Sequence, residues 1–147
     1  MCIEQTEQRV ITATVVDEAQ RLEMLPKYFK SLMGIVENKY YRMADYLSAQ
    51  YQGAYWEFVE LSNGGFFMYP LISGEKIKID ADVGMIYGEQ EMSQVGFGLV
   101  VALFTYSHLA EAMVEDNKRE LLLKQYHKVM EHAREHEDFW LILKAID

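Results

Sequence analysis

Residues 54–70 read AYWEFVELSNGGFFMYP, two aromatic and branched runs either side of Asn63-Gly64-Gly65. An Asn-Gly pair between such runs predicts a β-hairpin, with Asn63 and Gly64 as the central residues of a type I′ turn, where both need positive φ. That turn would set Leu61 opposite Phe66, Val59 opposite Met68 and Phe58 opposite Tyr69, pairs that stabilise a sheet by roughly 0.2–1 kcal/mol each. Pro70 should end the second strand, because it has no N–H for a continuing ladder.

Outward from the hairpin, Val10 to Val16 alternates and is rich in Val, Ile and Thr, which suits a short strand. After Pro26 a short helix is expected to about Leu32. Gly34 then interrupts, and a longer helix follows with Val36, Tyr40, Met43, Leu47 and Tyr51 on one apolar face, ended by Gln52-Gly53. Lys76 to Asp80 alternates charged and apolar residues, so a third strand is expected, with Ile77 and Ile79 facing the core and completing a meander. Ser93 can cap an apolar helix, and Asn117 with Glu120 has capping-box spacing ahead of Leu122, Tyr126, Val129 and Ala133. Phe139, Ile142, Leu143 and Ile146 suggest a last short helix. With no internal repeat, low-complexity tract or linker, the expectation is one α+β domain over residues 1–147, a small antiparallel β-meander packed with several α-helices.

At 147 residues with 13% aromatics, the chain can bury a single substantial core and needs no disulfide framework. Cys2 is the sole cysteine, expected in a mobile terminus with no local activating pattern. With no basic segment leading into an apolar signal region, it points to a cytoplasmic protein. From Met92 to Ala110 no residue carries a formal charge, yet Gln94, Gly98, Thr105 and His108 recur at helical spacing. A buried helix of a soluble protein is expected there rather than a membrane span.

The net charge of −9, from 23 acidic and 14 basic residues, disfavours direct contact with a phosphate backbone. Imitation of DNA is also disfavoured. One duplex turn would need on the order of 20 aligned carboxylates, whereas Lys118 and Arg119 interrupt one acidic cluster here and Arg134 another.

Four constellations invite chemistry. His132 and His136 frame an H-x-x-E-H spacing with Glu135, as in inverted zinc peptidases, but the stretch is strongly charged, which suits a solvated helix end, and it offers no third ligand. His108 and His127 lack a recognisable nucleophile or orienting carboxylate. Glu57 and Glu60 could form a carboxylate pair, as in glycoside hydrolysis. Their odd separation instead places them on opposite faces of a regular strand, one exposed and the other hydrogen-bonded near the aromatic cluster. Gly64-Gly65 could cradle an anion but lacks the strand–loop–helix context of a phosphate loop. A small hydrolase using His132 and His136, or Glu57 and Glu60, is the alternative these residues leave open.

The hairpin string also resembles the signature of the ArdB/KlcA-type antirestriction proteins, small intracellular proteins of plasmids and other mobile elements. The resemblance continues in order through Thr12-Ala13-Thr14, Leu25-Pro26, Glu91-Met92-Ser93 and Lys144-Ala145-Ile146-Asp147. It implies interference with type I restriction of incoming DNA and brings no catalytic residues, cofactor or metal. The partner expected from it is the type I restriction-modification complex or an associated host factor, with no direct nucleic-acid or membrane binding. The candidate interaction surface is the hairpin block, at Tyr55, Glu57, Glu60, Asn63, Gly64 and Gly65.

Overall fold

The computed structural model describes residues 10–86 and 88–147; Cys2 lies outside them. The fold is α+β. Strands β1 (Ala13–Val15), β2 (Trp56–Leu61) and β3 (Phe66–Pro70) form an antiparallel sheet in the order β1-β2-β3, while β4 (Lys76–Ile79) and β5 (Gln90–Ser93) form a separate two-stranded ribbon. Helices α1 (Arg21–Phe29), α2 (Met33–Leu47), α3 (Gln94–Ala112), α4 (Asp116–Ala133) and α5 (Phe139–Ile146) complete the fold.

The hairpin forms, but one residue out of the expected register: Phe58 pairs with Met68, Val59 with Phe67 and Glu60 with Phe66. The Leu61 carbonyl accepts the Gly64 N–H (2.9 Å), and the Leu61 N–H donates to the Gly65 carbonyl (2.8 Å). Gly64 sits at φ +91, whereas Asn63 is not at positive φ. This is a three-residue loop with a glycine bulge rather than a type I′ turn, and the extra loop residue moves the pairing by one. Asn63 folds its own Oδ1 onto the Gly65 N–H (3.0 Å), a local bond that short polar side chains make readily in turns.

The meander also forms differently. β1 supplies the third strand, pairing Val15 with Val59, and β4 pairs with β5 instead of β3. Side chains already occupy the outer edge of β3. Gln125 Oε1 accepts the Phe66 N–H (2.9 Å), and the Tyr106 hydroxyl donates to the Phe66 carbonyl (2.5 Å). Gly98 brings the α3 backbone so close that a Cβ there would lie 2.6 Å from the Met68 carbonyl. No strand can enter that edge. Ile77 and Ile79 are nonetheless fully buried, as their alternation requires.

Helix α1 begins before Pro26, which lies inside it. Proline removes the N–H that Leu22 would receive across one turn, and the helix ends soon after at Phe29, followed by Lys30 at φ +52. Gly34 does not interrupt α2; it lies in its first turn. Val36, Tyr40, Met43 and Leu47 are buried along one face as expected, and Tyr51 is buried beyond the end of the helix, which comes before Gln52-Gly53.

Helix α3 is long and apolar enough to cross a membrane by composition, yet most of it is buried within the protein. It packs against α2, α4, α5 and β3 and forms the centre of the core. Ser93 caps it as expected, its Oγ accepting the Gly96 N–H (3.0 Å) while donating to Asp138 Oδ2 (2.6 Å). The capping box at Asn117 and Glu120 does not form, because α4 begins earlier, at Asp116, with Glu115 as its flanking residue. Arg119 fastens that turn, bonding Asp116 Oδ1 and the Met113 carbonyl, each at 2.8 Å.

Candidate interaction surface

The loop half of the expected surface is covered by α4. Asn63 Nδ2 donates to the Lys128 carbonyl (2.9 Å) and to Glu131 Oε1 (3.1 Å). Gln125 Nε2 donates to the Gly64 carbonyl (3.1 Å). Lys128 lies over both glycines, its Nζ 3.1 Å from where a Cβ on Gly64 would sit and its own Cβ equally near that of Gly65. Gly65 is buried, and Asn63 and Gly64 are half-buried. These three residues bind the hairpin to α4, and Asn63 with the exposed Ser62 also lines an open cavity of about 520 Å³ beside Glu131, Arg134 and Glu135. Gly64-Gly65 does not form an anion cradle, since the Gly65 N–H is taken by Asn63.

The strand half is different. Glu57 and Glu60 take opposite faces: Glu57 pairs in register with Tyr69, and Glu60 with Phe66. Glu60 Oε2 accepts from Lys27 Nζ (2.7 Å) and from the Tyr28 hydroxyl (2.5 Å). Those two hydrogen bonds, Lys27 first, hold the Glu60 carboxyl below its ordinary value. Burial, reinforced by Glu60, pushes the Tyr28 hydroxyl up to about 12. The two carboxylates therefore do not converge on a substrate position, and Glu60 is the one tied into the aromatic cluster.

Tyr55 is half exposed and leads into a groove that the hairpin reading alone does not reach. The Arg21 guanidinium lies 4.5 Å over the Tyr55 ring and 4.1 Å over the Phe58 ring, and donates through Nη1 to the Trp56 carbonyl (2.6 Å). Beside it α1, α2 and β2 enclose about 310 Å³, walled by Leu22, Leu25, Pro26, Met33, Glu37 and Tyr41 among others. Burial pushes the Tyr41 hydroxyl up to about 12, and that hydroxyl donates to Glu37 Oε2 (3.0 Å). Pro26 within the helical spacing of Leu22, Leu25 and Phe29 is the sequence signal for this groove.

The histidines do not make a solvated zinc motif. Helix α4 ends at Ala133, so His136 lies beyond it. His132 is half-buried, its ring 6.0 Å from that of Phe67 and its Nδ1 without a partner among the described residues. Burial holds its pKa below the ordinary value. His136 Nδ1 accepts the Asp138 N–H (3.0 Å). No group of three or more metal-ligating side chains occurs among the described residues. His108 is exposed beside Phe104, its ring 5.4 Å away, in a cavity it shares with Ser107 and Glu111, while the Ser107 hydroxyl donates to the Phe104 carbonyl (3.3 Å); His127 lies against Tyr126 at 5.6 Å.

The hairpin is thus clamped to α4, and an aromatic groove opens beside Arg21. The family described as antirestriction protein matches residues 49–147. Antirestriction protein KlcA of Escherichia coli is 35% identical over 97% of this chain and 99% of its own length, and a second Escherichia coli KlcA is 34% identical over 93% of this chain and 94% of its own. A solved structure covers 95% of this chain and 96% of its own at 34% identity, with a TM-score of 0.83. It comes from work describing the KlcA and ArdB proteins as having a novel fold and antirestriction activity against type I DNA restriction systems in vivo but not in vitro. The chain belongs to the antirestriction protein family.

Proposed function

We propose that this protein relieves type I restriction-modification of incoming DNA. It acts in the cytoplasm, by contact with the restriction complex or an associated host factor rather than by catalysis or DNA mimicry. Family membership over two thirds of the chain carries the reading. The difference between activity in vivo and in vitro in the KlcA and ArdB proteins supports a partner present in the cell. Against mimicry, Glu60, Glu89, Glu115 and Asp116 are each paired with a lysine or arginine, which breaks up any acidic stripe.

The test is phage plating on hosts with and without a type I system. Expression of the protein should raise plating of unmodified phage on the restricting host alone; unchanged restriction at good expression would refute the reading. Changing His132 and His136 together to Ala should leave relief intact, while losing the His132 ring against Phe67 and the His136 acceptor for the Asp138 N–H should lower the melting temperature. Loss of relief in variant protein that still folds would return the hydrolase alternative.

A further inference from the structure

We propose that the groove between α1, α2 and β2 seats an apolar protein segment carrying a carboxylate, with Arg21 as the receptor for that carboxylate. This rests on the functional reading above and names the surface through which it would operate.

Three features meet at the groove. Its walls are apolar and partly bare: Leu22 is 92% exposed, Met33 44% and Tyr41 37%, on two helices that face each other across about 310 Å³. Exposed apolar side chains scattered singly are ordinary, but a concave cluster rimmed by polar groups marks a contact site. Aromatic residues, methionine and arginine are also the types that supply most binding energy at protein interfaces.

The second feature is Arg21. Its guanidinium lies over the Tyr55 and Phe58 rings and is bonded to one carbonyl, yet no carboxylate lies within ion-pairing distance among the described residues. A guanidinium carries five N–H donors in a planar fork suited to two-point recognition of a carboxylate. Stacking fixes that fork in advance, so little freedom remains to be lost when an anion arrives. Glu37, the acidic group of the groove, is engaged by the Tyr41 hydroxyl and does not reach Arg21. Arg21 is therefore a cation without a carboxylate partner among the described residues, in a protein whose net charge is −9.

The third feature is Pro26. Because it has no N–H, the Leu22 carbonyl lacks its regular helical donor, and Pro26 itself lines the groove. Apolar walls and a cation without a carboxylate partner together fit a polypeptide segment better than a nucleic acid. A second copy of this chain would bring another strongly negative body to the face.

Charge substitutions at the rim test this in the plating assay, with protein abundance and melting temperature measured alongside. Leu22→Glu places a negative charge beside Arg21 at a side chain with almost no packing, and it should lower restriction relief at least tenfold. Arg21→Gln should do the same. Leu22→Lys, which keeps the positive field, should stay within twofold of wild type, and Val114→Glu, at an equally exposed apolar site elsewhere, should have no effect. Full relief by folded Leu22→Glu would overturn the groove as the contact surface. Equal loss from Leu22→Lys and Leu22→Glu would overturn the acidic partner. A wild-type dimer in sedimentation velocity that Leu22→Glu dissociates would assign the face to a second copy and overturn the proposal. If the wild-type protein itself gives no relief, the functional reading fails first.

Discussion

The hydroxyls of Tyr40 on α2 and Tyr106 on α3 lie 2.7 Å apart, both fully buried, and the direction of the bond between them is fixed by their surroundings. Tyr106 gives its one proton to the Phe66 carbonyl, so Tyr40 must donate to Tyr106. A relay therefore runs from α2 through α3 to β3 at the Phe66 carbonyl. Tyr106→Phe should cost about 1–3 kcal/mol, because it strands a buried carbonyl and removes the acceptor for Tyr40. Tyr40→Phe should cost a similar amount, and the double variant less than the two together, as measured by denaturant unfolding.

Asn63→Asp keeps the shape of the side chain but removes both donors to α4 and places a carboxylate against Glu131. Destabilisation of about 1–3 kcal/mol is expected from the stranded Lys128 carbonyl and the like charge. Glu57→Gln, at a half-buried position, should cost clearly less. Thermal melts of the two variants side by side check the order.

Trp56 is 3% exposed, packed edge-on against Tyr40 and Tyr51 with its indole N–H on the Tyr51 hydroxyl (3.2 Å). Trp56→Ala should therefore destabilise the fold by about 3–5 kcal/mol, as large-to-small changes in a core do. A neutral result in chemical unfolding would mean that the indole is not part of the core.

His132 sets a pH dependence. Burial is the main cause holding its folded pKa below the ordinary 6.5, with Glu135 opposing and His136 adding to the shift. The unfolded chain therefore takes up the proton first. The neutral ring's contribution is complete above the unfolded value and is lost as pH falls through 6.5 toward the folded value. His108 is lowered in the same direction, by burial and then by Lys39. His132→Phe, which keeps a ring against Phe67, should flatten the decline in stability between pH 7 and pH 5 without abolishing it. Urea midpoints at the two pH values measure the difference.

The sequence reveals a good deal of this fold because its signals are local. The alternation at Lys76 to Asp80 finds β4, the spacing of Val36, Tyr40, Met43 and Leu47 finds α2, and Ser93 marks the start of α3. What it hides depends on distant side chains. Asn63 reads as a turn residue from its neighbours, and its bonds to Lys128 and Glu131 arise only once α4 is in place. The separation of β4 from β3 follows from Tyr106 and Gln125, which carry no strand pattern. The groove is similarly hidden, since Arg21, Glu37 and Phe58 become neighbours only when α1, α2 and β2 pack together.

The two borders of the main sheet are closed to outside strands by different means. On the β3 side, a foreign chain seeking backbone partners finds them consumed by tyrosine and glutamine. On the β1 side the strand is exposed but only three residues long, so an intruder gains few rungs for the freedom it would lose. A protein with this many aromatic residues would otherwise be prone to cross-β aggregation at high concentration. Tyr106→Phe should therefore raise the tendency to self-assemble on mild heating, beyond its effect on stability alone.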